Sequence, residues 1–313
     1  MSSCANSTES FIQAVMIYVV MVISIFGNGI LLLLLIHFKA LRTVPNILIA
    51  NLAAIDAMNA VINMPLMISW YICKDARLKG KVISWLVVST YVLFIYLTAF
   101  SLVVLMMDRY GAICHGLKYH TWKTKRKAYA AAAITRVCAG LYTYVQSSLG
   151  LNIDVGEQPV LVYRKFYFQR FGRPFIIPGY LVPFSIILVL TLLVWRRVRM
   201  RKTIIAPYCS LSIKKRGDVV TAKTIGLIIL CYFFTGCFPM LLHNIARIHG
   251  SWLHFLAYFF IHMNSLANPV IYSLRTRRFR QAFKILIQDT FGTAEAADLR
   301  RLKVQGASTT YTQ

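Results

Sequence analysis

The stretch Phe100-Ser-Leu-Val-Val-Leu-Met-Met-Asp-Arg-Tyr110 runs apolar and then stops at an acid, a base and a phenol. Upstream, residues 82–107 contain no charged side chain. At about 1.5 Å of rise per residue that run is long enough to cross a bilayer. Downstream come Lys118, Lys123, Lys125, Arg126 and Lys127, a basic loop of the kind retained on the cytoplasmic side. The helix is therefore expected to end at Asp108-Arg109-Tyr110, on the inner membrane face. Charges persist there when they pair with one another or act.

Composition agrees with a membrane chain. The 313 residues are 58% hydrophobic, with a mean hydropathy of +0.61, where ordinary soluble domains are about 45–50% apolar. The net charge of +25 would point to nucleic acid in a soluble protein. Its distribution excludes that partner. Seven apolar segments can be drawn, at 11–36, 46–72, 82–107, 128–149, 175–195, 221–246 and 251–274. By these spans 24 of the 35 Lys and Arg fall on one side and 9 on the other, with Arg136 and Lys223 inside spans. The excess faces the cytoplasm and its anionic lipid. An odd number of spans then puts the N-terminus outside and the C-terminus inside. No cleavable signal peptide is expected, because the start lacks basic residues and the first apolar run is too long. The expected organisation is an extracellular 1–10, a seven-helix bundle over 11–274, an amphipathic surface helix over 275–288 and a flexible cytoplasmic tail over 289–313. Asn6-Ser7-Thr8 is a glycosylation sequon on the outer side.

Polar residues inside the spans are the candidates for function. Gly27-Asn28-Gly29 places an amide in the first span between two residues small enough to admit a neighbouring helix. Asp56 is the only acid in the second span. A buried carboxylate must be neutralised by a proton, a cation or hydrogen bonds. Asn28, Thr98, Asn264 and Asn268 lie at comparable depth. Prolines at 178, 183, 239 and 269 remove backbone hydrogen bonds and supply hinges. In the second outer loop, Tyr, Phe and Val alternate roughly over 159–170, which predicts a strand or hairpin. Arg136 has no evident partner; its side chain is expected to snorkel toward the inner face.

Gly27-Asn28, Asn51-Leu52-Ala53 with Asp56, Asp108-Arg109-Tyr110, Pro183, Phe233 with Pro239, Asn264-Ser265, Asn268-Pro269-Val-Ile-Tyr272 and Arg278-Phe279 follow one another at compatible separations, one group per helix. In this order the chain resembles the rhodopsin-like, class A G-protein-coupled receptors over roughly residues 11–288. The resemblance implies an all-α seven-transmembrane bundle at the plasma membrane. It implies a receptor that takes an extracellular ligand and activates a heterotrimeric G protein, with an arrestin as a further partner. Asp108, Arg109, Tyr110, Asn268, Pro269 and Tyr272 would carry activation. Asp56 with Asn28, Thr98, Asn264 and Asn268 would form a sodium pocket. Tyr91, Ile95, Phe175, Asn244, Tyr258 and His262 would line the ligand pocket. Both long outer loops are basic and no acid is expected in the outer halves of the spans, so the ligand is expected to be neutral or anionic.

The departures from the family pattern are specific. Tyr91 stands where amine receptors carry an aspartate, and His262 stands where opsins carry the retinal lysine, so no retinal is expected. Cys237 replaces the tryptophan near the sixth-span proline, and Arg136 replaces the fourth-span tryptophan. Ser84 stands where the family has the cysteine tied to the second outer loop. Only Cys4 and Cys73 face the oxidising side, where they form either a bridge or two free thiols. The missing tryptophan and disulfide keep a second reading open, that of a constitutively active receptor or a heteromer partner. A transporter would require an internal repeat, and none is found. The four histidines at 243, 249, 254 and 262 have no acidic partner, so no enzyme is expected.

Overall fold

The structure is a computed structural model that describes residues 8–73, 75, 78, 80–150, 172–205, 226–228, 230–237, 239, 251–275 and 277–291. The main helical elements are α1 (Thr8–His37), α2 (Val44–Ile72), α3 (Lys81–Cys114), the short α4 (Gly116–Trp122), α5 (Lys125–Gly150), α6 (Gly172–Ile205), α7 (Phe233–Cys237, a π-helical turn of the sixth span), α8 (Ser251–Arg275) and α9 (Arg277–Phe291). Among the described residues, four helices are both long and apolar enough to cross a membrane: α1, α2, most of α3, and Pro178–Met200 of α6. The loop 159–170, Asn6 and Cys4 lie outside the described residues. Cys73 is disulfide-bonded, and its partner also lies outside them.

Helix ends depart from expectation wherever charge had been taken as a stop. α3 continues past Asp108-Arg109-Tyr110 to Cys114, so this triplet is helical. Charged side chains do not break a helix; the break comes at His115, whose backbone N–H still bonds Gly111 O and whose own φ and ψ leave the helical region. Residues 116–122, expected as loop, form α4. α6 runs on through the arginine-rich stretch after residue 195, because Arg, Met and Lys are good helix formers once in water. α1 starts at Thr8 and takes Glu9 into its first turn, where Gln13 donates to it at 3.2 Å.

The bundle buries polarity and exposes hydrocarbon. α1 turns Phe11, Val15, Tyr18, Phe26 and Leu33 outward while Ile17, Val20, Ser24, Asn28 and Leu31 face its neighbours. Both sets recur at helical spacing. That arrangement suits lipid, which is as apolar as leucine and offers a buried amide no partner.

α3 is the central helix, packed against α2, α5 and α6. Side-chain hydrogen bonds fix it to both neighbours. Trp70 of α2 donates through Nε1 to Ser84 Oγ at 3.2 Å. The position that resembles a disulfide cysteine thus holds a buried serine pinned to α2. On the other side Tyr96 donates to Gln146 Oε1 at 2.5 Å, Ser89 to Ser147 Oγ at 2.8 Å, and Trp85 Nε1 to Ser147 O at 2.8 Å.

The two glycines beside Asn28 differ. A Cβ at Gly27 would stand 2.9 Å from Pro269 Cγ of α8, whereas one at Gly29 would meet nothing within 4 Å. Only Gly27 serves close helix approach. Gly27→Val is expected to destabilise by about 1–3 kcal/mol, the usual range for overpacking. Gly29→Ala should be neutral or mildly stabilising through helix propensity. Thermal unfolding of the detergent-solubilised protein measures both, and an unchanged midpoint for Gly27→Val would show that α1 and α8 do not need that approach.

Candidate functional site

Pro269 has no N–H to offer the carbonyl four residues earlier, so Ser265 O is left without its helical partner. Asn28 Nδ2 of α1 takes it up at 3.0 Å and also bonds Ser24 O at 3.0 Å. The Ser265 hydroxyl points to α2 and donates to Asp56 Oδ1 at 3.1 Å. Asp56 Oδ2 accepts from Asn268 Nδ2 at 2.7 Å. Asn59 Nδ2 donates to Ser265 Oγ at 3.2 Å, and Asn63 Nδ2 to Asn59 Oδ1 at 2.9 Å. Three helices thus meet at a buried hub with Asp56, 1% exposed, at its centre.

The residues expected near Asp56 take different places around it. Of the four, only Asn268 bonds it. Asn28 reaches the hub through the Ser265 backbone. Asn264 Oδ1 accepts from Thr235 of α7 at 3.1 Å. Thr98 lines an adjoining cavity. Ser265, quoted in the sequence motif but given no role there, is the missing ligand. Serine is common in membrane helices because it can bond its own backbone, so its identity alone carries little signal.

The adjoining cavity encloses about 30 Å³, and Tyr91, Ile95, Thr98, His262, Asn264 and Ser265 are among its walls. Sequence and structure agree in bringing Tyr91, Ile95 and His262 together. Tyr258 joins them edge-on, with ring centroids 5.7 Å from Tyr91, and Tyr91 lies 6.0 Å from the His262 ring. His262 is buried and neither ring nitrogen has a hydrogen-bond partner. The Phe175 side chain and Asn244 lie outside the described residues. Among the described residues, no carboxylate lines the cavity.

At the other end of α3, Arg109 Nη2 donates to Asp108 Oδ2 at 2.6 Å. Tyr119 of α4 donates a second, short hydrogen bond to Asp108 Oδ1. Its ring lies against Gly111, where a Cβ would stand 3.0 Å from Tyr119 Cδ2. Burial, and then the Asp108 carboxylate, push the Tyr119 phenol well above its usual pKa, so it remains a donor. Lys123 Nζ sits 4.9 Å from the centre of that ring, and burial lowers its pKa. Tyr110 turns away from the pair and packs edge-on against His115 at 5.4 Å. Sequence reasoning missed Tyr119, because nothing in a short inner loop marks which aromatic folds back. The Tyr272 side chain lies outside the described residues.

Comparison with known proteins gives the family. Residues 27–272 match the 7 transmembrane receptor (rhodopsin family). The chain belongs to the rhodopsin family of seven-transmembrane receptors. It is 24% identical to the melatonin receptor type 1C of Gallus gallus over 90% of this chain and 83% of that receptor. It is 25% identical to galanin receptor 2a of Danio rerio, over 88% and 78%. With the cholecystokinin receptor of Xenopus laevis it shares 32% identity over 42% of this chain, a match that spans 29% of that relative's length.

The hub generates its own test. Ser265→Ala would remove the donor to Asp56 Oδ1 and the acceptor for Asn59 at one stroke, and a buried polar group left unpaired costs about 1–3 kcal/mol. Thr98→Ala, which does not touch Asp56, should cost less. Thermal midpoints of the two variants should separate in that order; equal midpoints would mean that Ser265 does not bind the hub together.

Proposed function

We propose that the chain is a plasma-membrane receptor that takes its ligand from outside and activates a heterotrimeric G protein at the inner face. The observation that carries this reading is the Asp108–Arg109 pair, held from α4 by Tyr119 on the helix that also lines the outer cavity. Tyr91 and Arg109 are eighteen residues apart on α3, about 27 Å along one rigid axis. A ligand that prefers one arrangement of the tyrosines shifts the population of states in which Arg109 leaves Asp108 for a partner protein. Asn268, Pro269 and Tyr272 would reorganise with it, and an arrestin would compete for the same face. The N-terminus, with Asn6 glycosylated, lies outside by the positive-inside rule.

The ligand is neutral or anionic in this reading. Its contact points would be Tyr91, Tyr258 and His262, since a wall of neutral polar and aromatic groups with a buried imidazole favours a neutral hydrogen-bonding group. The relatives are named for three different ligands, so likeness alone selects none.

A sodium ion fits the hub by the chemistry of its donors. Asp56 is a buried carboxylate with no cationic partner among the described residues. The oxygens of Thr98, Asn264 and Ser265 border the adjoining cavity, and hard cations prefer oxygen ligands. The ion would neutralise Asp56 and favour the resting arrangement. Sodium is therefore expected to suppress basal signalling and Asp56→Asn to abolish that response; an unchanged sodium response in the variant would rule the site out.

Basal nucleotide exchange on G proteins, measured at matched surface levels, tests the main reading. Arg109→Ala should lose exchange while keeping its surface level. Tyr119→Phe and Asp108→Asn should each raise it, by roughly fivefold if one charge-assisted bond contributes about 1 kcal/mol to the resting state. Normal exchange by Arg109→Ala would reduce the cluster to a boundary anchor.

A further inference from the structure

Arg136 plays no part in the hub, the cavity or the inner-face cluster. It lies eleven residues into α5, about 16 Å along the axis from the helix's cytoplasmic start at Lys125. Its side chain is exposed on the outside of the bundle. No carboxylate among the described residues pairs with it; its single hydrogen bond runs from Nη1 to Ala132 O at 3.3 Å. Ala132 is one turn nearer the cytoplasmic end, so the guanidinium does snorkel inward. It remains within the span with most of its donors unfilled, which hydrocarbon does not tolerate.

Arg136 lines a groove of about 420 Å³ formed by α1, α2 and α5. Leu32, Leu35 and Ile36 make one wall, and Arg42 stands at the α1–α2 turn. Arg42 caps the end of α1 through Nε to Leu35 O at 3.0 Å and Nη2 to Ile36 O, which leaves Nη1 unused. Asn51 also lines the groove. Its amide nitrogen donates to Ser101 Oγ at 3.0 Å, while its buried Oδ1 has no partner. Two guanidiniums, one unfilled buried acceptor and an aliphatic wall therefore share a recess on the lipid-facing side.

We propose that this groove binds one anionic phospholipid of the cytoplasmic leaflet, its phosphate on Arg42 and Arg136 and an acyl chain along Leu32, Leu35 and Ile36. Charge complementarity selects the occupant. A sterol brings one hydroxyl and no charge, whereas a soluble phosphate leaves the aliphatic wall bare. Anionic lipid is concentrated in the inner leaflet, the side toward which Arg136 reaches.

Native mass spectrometry of the full chain in detergent, with equimolar phosphatidylserine and phosphatidylcholine, tests the site. One phosphatidylserine per receptor should be retained in preference, by about fivefold or more for the charge lost with one arginine. Arg136→Gln and Arg136→Trp should abolish the preference. The tryptophan variant restores the family's residue and offers Asn51 an indole N–H, so it keeps the fold. Arg197→Gln, in the exposed basic run of α6, should bind like the parent. Equal retention of the two lipids, an unchanged preference in Arg136→Trp, displacement by glycerophosphoserine as efficient as by lipid, or protection by cholesterol alone would each overturn the proposal. Independently of any variant, phosphatidylserine with a photoreactive acyl chain should label residues 32–36 of α1 and 129–136 of α5. Labelling spread evenly over the lipid-facing helices, or matched by a phosphatidylcholine probe, would overturn it as well.

Discussion

The carbonyl of Ser265, freed because Pro269 cannot donate to it, is the point on which the bundle depends. In water a released carbonyl finds a solvent molecule; inside a membrane it must find protein. Asn28 supplies the donor, and Gly27 lets the proline ring come close enough for it to reach. With α8 held there, the Ser265 hydroxyl faces α2 and meets Asp56. A missing backbone hydrogen bond has become the junction of three helices. None of its members can be removed without leaving another buried group unpaired.

The hub lies between the two regions that a receptor must connect. Ser265 borders the cavity beside Tyr91 and His262 as well as bonding Asp56, and Thr98 of α3 borders the same cavity. Farther down α3, Asp108 divides its two oxygens between Arg109 and Tyr119. Small displacements of a packed helix are resolved into discrete rearrangements, because cores are close-packed and hydrogen-bond networks re-pair rather than stretch. The binding of Tyr119 to Asp108 ties that choice to the position of α4.

The spans were legible because hydropathy and charge asymmetry act over twenty residues at a time, and Asp56 stood out as a lone acid in hydrocarbon. Asn268 was legible as its partner through a motif. Ser265 was not, since its role comes from a carbonyl released one turn later, and serine identity does not announce that. Tyr119 was missed because its contact joins residues across a helix break. The end of α3 was misread for a related reason. Charge marks where the membrane stops, whereas the helix stops where the backbone turns, at His115. Phe175 and Asn244 were expected in the ligand pocket, and their side chains fall outside the described residues.

Two departures from the family pattern show how a membrane bundle absorbs a changed residue. Ser84 replaces a cysteine, and its hydroxyl is buried against Trp70, so the exchange of a covalent tie for a hydrogen bond is completed within the protein. Arg136 stands where the family pattern has a tryptophan, and no carboxylate among the described residues pairs with it. Among the described residues the buried Asn51 Oδ1 has no partner, and the Arg136 guanidinium bonds a carbonyl of its own helix. Ser84 lies inward, where a neighbouring helix can supply a partner. Arg136 lies outward, where the neighbour is lipid. The same requirement, that polar groups in a membrane be paired, is met by packing in the first case and falls to the bilayer's own polar chemistry in the proposal for the second.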